Sequence, residues 1–151
     1  MKQKLNIDTW NRKEHFNLSI YDQINAGPTI GRSNGTFGFS YIDYHPSFHE
    51  FMMGAKKEIE RVQNTSSLFA PKLDNDIVHF SSLPWINFTS ISHARGFSFP
   101  DSCPKISFGK MTQNESKRTM PVSVHVHHAL VDGLHVGQYI DRFQELMNDG
   151  I

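Results

Sequence analysis

The chain has 151 residues, 38% of them apolar and 20% charged, and its 15 Lys and Arg balance its 15 Asp and Glu. That length holds one hydrophobic core and argues against two, so a single domain over residues 1–151 is expected. Balanced charge without a long block of either sign gives no footprint for nucleic acid or an anionic membrane; the one cysteine, Cys103, excludes an intrachain disulfide framework; and without a signal-peptide core or a spanning apolar run the cytoplasm is the expected compartment.

In DTWNRKEHFNLSIY, Trp10, Phe16 and Ile20 stand among charged residues with weak periodicity, which predicts a short first helix or a turn. NAGPTIGRSNGTF is dense in Gly, Asn and Pro and reads as turn with little strand. Phe37, Phe39 and Tyr41 then alternate with small residues, the period of a half-buried strand. Ser47 and Glu50 match the S-x-x-E capping box, in which hydroxyl and carboxylate satisfy free N–H groups of a first helical turn. Phe48, Phe51, Met52, Ala55, Ile59 and Val62 follow at helical spacing, with Lys56, Lys57, Glu60 and Arg61 on the other face. That stripe reads as the face by which the helix covers a sheet, because burying it is what stabilises an amphipathic helix.

Strand patterns follow at 77–83, 86–91, 105–112 and 120–127, separated by Pro84, the loop 96–104 and the polar stretch 113–117. A last helix is expected over 135–147, with Val136, Ile140, Phe143 and Leu146 on one face. Strands with two covering helices define the fold class as α/β of the α+β two-layer sandwich kind, a mixed β-sheet covered by helices.

Residues 122–133 read VSVHVHHALVDG. A strand there puts Val122, Val124 and Val126 on one face and Ser123, His125 and His127 on the other, so His128 is expected to point with the valines into a covered, partly dry space. Asp132 and Gly133 fall where the chain turns toward the last helix, a position that suits a structural aspartate and a close backbone path. From the residues alone three readings stay open. These are partly solvated strand histidines; or His125 and His127, with His135, chelate a metal, although no acidic or cysteine ligand forms a second cluster; or His128 is a general base, a task that suits imidazole near its ordinary pKa.

HHALVDG resembles the H-H-x-x-x-D-G signature of CoA-dependent acyltransferases, and its flanks are similar to the C-terminal end of the chloramphenicol acetyltransferases. TWNRKEHF (9–16) resembles the opening of that family, SSLPWINFTS (81–90) its S-x-x-P-W segment, and KISFGK (105–110) its strand ending in lysine. The matches keep the family's order and cover most of the chain. Taken singly, Ser81, Trp85 and Arg12 also read as a strand serine, a packing residue and a surface charge.

The resemblance implies an acetyltransferase that moves the acetyl group of acetyl-CoA to a hydroxyl of chloramphenicol or a similar acceptor. His128 would be the general base, with no acyl-enzyme and no metal or permanently bound cofactor. It implies that Asp132 pairs with Arg12, that Ser81 donates to the tetrahedral oxyanion, and that Trp85 and Lys110 line the CoA channel. Phe37 and Phe69 align with aromatics of the acceptor pocket. It also implies a homotrimer with sites between subunits. Relative to the family pattern a block on the order of sixty residues, several elements at usual lengths, is missing near Ile20 and Tyr21. Leu18 and Ser19 stand where relatives carry an aromatic, His79 where some carry an asparagine, and Met111 where some carry a tyrosine. The alternative expectation is a catalytically impaired shortened form that acts as a trimeric assembly or binding module.

Overall fold

Chain order and strand pairing together set the architecture. A computed structural model describes residues 5–11, 15–72, 74–93 and 101–149. The elements are β1 (Leu5–Asn11), β2 (His15–Ile20), β3 (Asn25–Gly31), β4 (Phe37–Phe39), α1 (Phe48–Gln63), β5 (Ile77–Ser82), β6 (Lys105–Phe108), β7 (Thr112–Asn114), β8 (Lys117–Thr119), β9 (Val122–His125) and α2 (Gly133–Asp149). Five of the strands form the central sheet in the order β4-β3-β5-β6-β9. Its middle strands β3, β5 and β6 are parallel, and the edge strands β4 and β9 run antiparallel to them. Parallel neighbours need a long crossover, and α1 lies within the one that joins β3 to β5.

Strand alternation sorts the side chains into two faces. His79 and Ser81 pair with Lys105 and Ser107, and Lys105 and Ser107 pair with His125 and Ser123, so these residues share one face. Phe80 and Phe108 point the other way and stack with ring centroids 6.3 Å apart. Phe143 of α2 packs on Phe108 at 5.9 Å, and Val62 of α1 lies against Gly38, whose register partner Ile30 is on that same side. Both helices therefore cover the apolar face, the expected mixed sheet with helices.

Several elements differ from what local sequence predicts. The opening segment is an antiparallel hairpin, β1 with β2, that forms a sheet of its own; it is neither a helix nor a turn. NAGPTIG is β3, an internal strand. Gly27 leaves room for the Ile77 side chain, whose Cδ1 would lie 2.5 Å from a Cβ there, and the Pro28 carbonyl accepts the Ser40 hydroxyl. The true turn comes later, where Gly35 adopts φ 79° before β4. No strand forms over 86–91, and the strand expected over 105–112 stops at Phe108, with Thr112 opening the β7–β8 hairpin.

Helix α1 follows its amphipathic stripe, but the capping box does not close. Ser47 makes no side-chain cap bond, and the N–H that Glu50 would take donates instead to His45 Nδ1 at 3.1 Å. Burial is uneven along the stripe: Ala55 and Val62 are buried, whereas Phe48 and Met52 are exposed. Tyr41, Ala70, Ile77 and Cys103 form a buried cluster. Helix α2 begins two residues earlier than expected and has no fully buried residue. Among the described residues no helix is long and apolar enough to cross a membrane.

Candidate active site

The sheet face turned away from the helices is polar, and three segments meet on it. β5 contributes His79 and Ser81, β6 contributes Lys105 and Ser107, and the segment after β5 brings His93 to Ser107. Ser81 Oγ lies 2.6 Å from Ser107 Oγ, and Ser107 Oγ lies 3.1 Å from His93 Nε2. The His93 ring meets the His125 ring edge to face, 4.9 Å between centroids at 88°. A cleft of about 310 Å³ opens here, lined by Thr29, Phe39, His79, Ser81, His93 and Lys105 among others. Beside it, sharing Phe39 and His79, is a more apolar cleft of about 190 Å³ that includes Phe69 and Ile77.

The electrostatics of the cleft follow from burial and from one ion pair. Lys105 Nζ bonds the Asp101 carboxylate. Burial works against the charge on Asp101, but the Lys105 bond and the Cys103 N–H hold its carboxyl below the ordinary value. Burial pushes the His79 pKa down, and the nearby Lys105 cation pushes it further. His79 is therefore the neutral imidazole of the cleft at pH 7.

The expected site residues fall into separate groups. Ser81 lines the main cleft and Phe69 the neighbouring one. Phe37, 48% exposed, stands edge-on to Phe39 at 5.7 Å, and Phe39 stacks on Phe69 at 6.2 Å, so both predicted aromatics touch Phe39, which the two clefts share. Trp85 and Lys110 lie on adjoining segments at one corner of the sheet. Leu83 N–H donates to Phe108 O at 2.8 Å and Lys110 N–H to Ile86 O at 2.7 Å, which ties the Trp85 turn to the end of β6. Gly109 permits this approach, because a Cβ there would lie 2.5 Å from Pro121 Cγ and 2.8 Å from Ile86 O. Trp85 itself is 70% exposed.

His128 does not enter a covered space as strand parity predicted. β9 ends at His125, and the chain then turns through Leu130 N–H and Val131 N–H donating to His127 O, at 2.9 and 3.1 Å. Alternation no longer governs residue 128, and its side chain is exposed. Asp132 precedes α2, and its Oδ1 accepts the His135 N–H at 3.1 Å and bonds His135 Nδ1 at 2.7 Å. Those bonds lower the Asp132 pKa, the behaviour of a helix-capping carboxylate. Arg12 lies outside the described residues, and so does any pairing of it with Asp132. Among the described residues no three His, Cys, Asp or Glu side chains gather as a metal would require, so the chelating reading of His125, His127 and His135 finds no support there.

Sequence reasoning passed over Ser107, His93 and the inward turn of His125. Ser107 had a signal, since Ser in KISF sits two residues from Lys105 on an alternating strand. His93 had none, because only the fold brings its loop over β6.

Solved structures with this arrangement place the fold. One is a chloramphenicol acetyltransferase with a TM-score of 0.67, 25% identical, covering 80% of this chain and 59% of that one. Another is a dihydrolipoamide acetyltransferase of Azotobacter vinelandii with a TM-score of 0.60, 14% identical, covering 88% of this chain and 57% of that one. The class of protein that fold and sheet define is the α/β CoA-dependent acyltransferase fold.

The chloramphenicol acetyltransferase family model matches residues 15–144, and the chain belongs to that family. Its relatives include the chloramphenicol acetyltransferase of Bacillus pumilus, 31% identical over 86% of this chain and 60% of the relative. The chloramphenicol acetyltransferase 2 of Haemophilus influenzae is 32% identical over 89% of this chain and 63% of the relative. The relatives are longer: this chain spans about three fifths of their length.

Proposed function

We propose that the chain transfers the acetyl group of acetyl-CoA to a hydroxyl of chloramphenicol or a similar hydroxylated acceptor, as a homotrimer in the cytoplasm and as a single shortened domain. His128 is the general base. It takes the acceptor's hydroxyl proton as the oxygen attacks the thioester carbonyl, the carbonyl oxygen gains the negative charge, and Ser81 donates a hydrogen bond to it. Collapse of the intermediate breaks the carbon–sulfur bond, and the imidazolium returns its proton to the departing CoA thiolate. Trp85 and Lys110 hold the CoA, and Phe37 and Phe69 hold the acceptor. Asp132 and Arg12 fasten the opening segment to the turn that carries His128. The observation that carries this reading is an intact HHALVDG turn together with Ser81 at the wall of a cleft, in a chain of this family.

Exposure of His128 in an isolated chain fits a site completed by a neighbouring subunit, where the base of one copy faces the Ser81 cleft of the next. The test is release of free CoA thiol from acetyl-CoA in the presence of chloramphenicol. His128→Ala is expected to lower turnover by about 10²-fold or more, the usual worth of a general base. Unchanged turnover in that variant would sink the assignment. A second reading, an assembly or binding module without turnover, is favoured by one observation, the share of the relatives' length that the chain spans. It predicts trimers with no thiol release.

A further inference from the structure

Ser107 is 0% exposed, and among the described residues its hydroxyl meets Ser81 Oγ on one side, at 2.6 Å, and His93 Nε2 on the other, at 3.1 Å. A serine hydroxyl has one proton to donate and lone pairs to accept with, so proton directions along Ser81, Ser107 and His93 are coupled. In one order Ser81 donates to Ser107 and Ser107 donates to an unprotonated His93 Nε2, which leaves Ser81 no proton for the cleft. In the other, His93 Nε2–H donates to Ser107, Ser107 donates to Ser81, and the Ser81 proton is available to a group in the cleft.

We infer that His93 is a positioning residue: as the Nε2–H form it sets the direction of the Ser107–Ser81 hydroxyl chain, so that Ser81 presents its proton to the oxyanion. The inference rests on the acetyl-transfer reading for its consequence and on the hydrogen-bond geometry for its substance. His125 supports the arrangement from the side, its ring perpendicular to that of His93. Its own Nε2 is buried without a hydrogen-bond partner among the described residues, so it does not compete for the Ser107 hydroxyl. Successive donors in a low-dielectric setting polarise one another, which strengthens the last donor in the chain.

Kinetics and ring-nitrogen NMR on the full chain test this. His93→Leu removes the donor and is expected to lower kcat about tenfold or more, with the KM for acetyl-CoA unchanged. His93→Gln, whose amide N–H can reach Ser107, is expected to recover most of that loss. His93→Leu combined with Ser107→Ala is expected to be no slower than Ser107→Ala alone, since both act through one chain. Equal losses in His93→Leu and His93→Gln, or additive losses in the double variant, overturn the inference. NMR of the wild-type ring is expected to show His93 Nε2 protonated, and an unprotonated Nε2 overturns the inference without reference to activity. A wild-type chain that releases no thiol removes the acetyl-transfer reading, and the ring-nitrogen result still decides the direction of the chain.

Discussion

His125 and His79 show how differently two imidazoles on the same sheet face can be placed. The His125 Nε2 is buried and makes no hydrogen bond among the described residues, which leaves its desolvation uncompensated. His125→Phe keeps a ring against His93 and removes that atom; it is expected to raise stability by about 1 kcal/mol, read as a higher urea midpoint. A lower midpoint would show that the nitrogen has a partner in solution. His79 is depressed from its ordinary 6.5 by burial, with Lys105 adding to the effect, while Asp101 opposes it and His93 acts with Lys105. The unfolded chain therefore takes up a proton there before the folded one does. Its contribution to stability is complete above pH 6.5 and is lost as the pH falls below that value toward the lower folded pKa. Urea midpoints measured across that range should fall on acidification, and His79→Asn should flatten the slope.

Among the elements, Gly109 has the plainest task. The carbonyl of Ile86 and the ring of Pro121 occupy the space a Cβ would need, and a backbone atom gives way at greater cost than a side-chain tip. Gly109→Ala is expected to cost about 1–3 kcal/mol and to raise the KM for acetyl-CoA, because it pushes the Trp85 turn from the end of β6. A neutral result in both measurements would remove that corner from the account.

The same contacts explain what was legible in the chain. Both helices were readable because an apolar stripe at helical spacing is a local signal. β3 was hidden, since Gly27 and Pro28 signal turn locally, while its pairing with β4 and β5 is long-range. The alternation over 86–91 misled because Ile86 and Phe88 are placed by the backbone of Gly109 and not by a ladder. Ser81 and the HHALVDG turn were singled out by motif order, but strand parity misplaced His128 because β9 ends at His125. His93 was not, because its place over Ser107 depends on a long loop between strands.

For the molecule as a whole, several large apolar side chains are left exposed. Leu134, Tyr139, Ile140, Leu146 and Met147 on α2 are all more than a third exposed, and Trp85, Ile86 and Met111 are exposed at the corner of the sheet. Among the described residues the hairpin β1–β2 pairs with no strand of the central sheet, and the relatives are longer than this chain.

The proposed function requires that the chain assemble and transfer acetyl groups. Mass in solution and thiol release, measured on one sample, test it most directly. The account predicts a three-subunit particle that frees CoA thiol from acetyl-CoA when chloramphenicol is added and falls nearly silent with His128→Ala. A particle of that mass that releases no more thiol than its His128→Ala variant would contradict it.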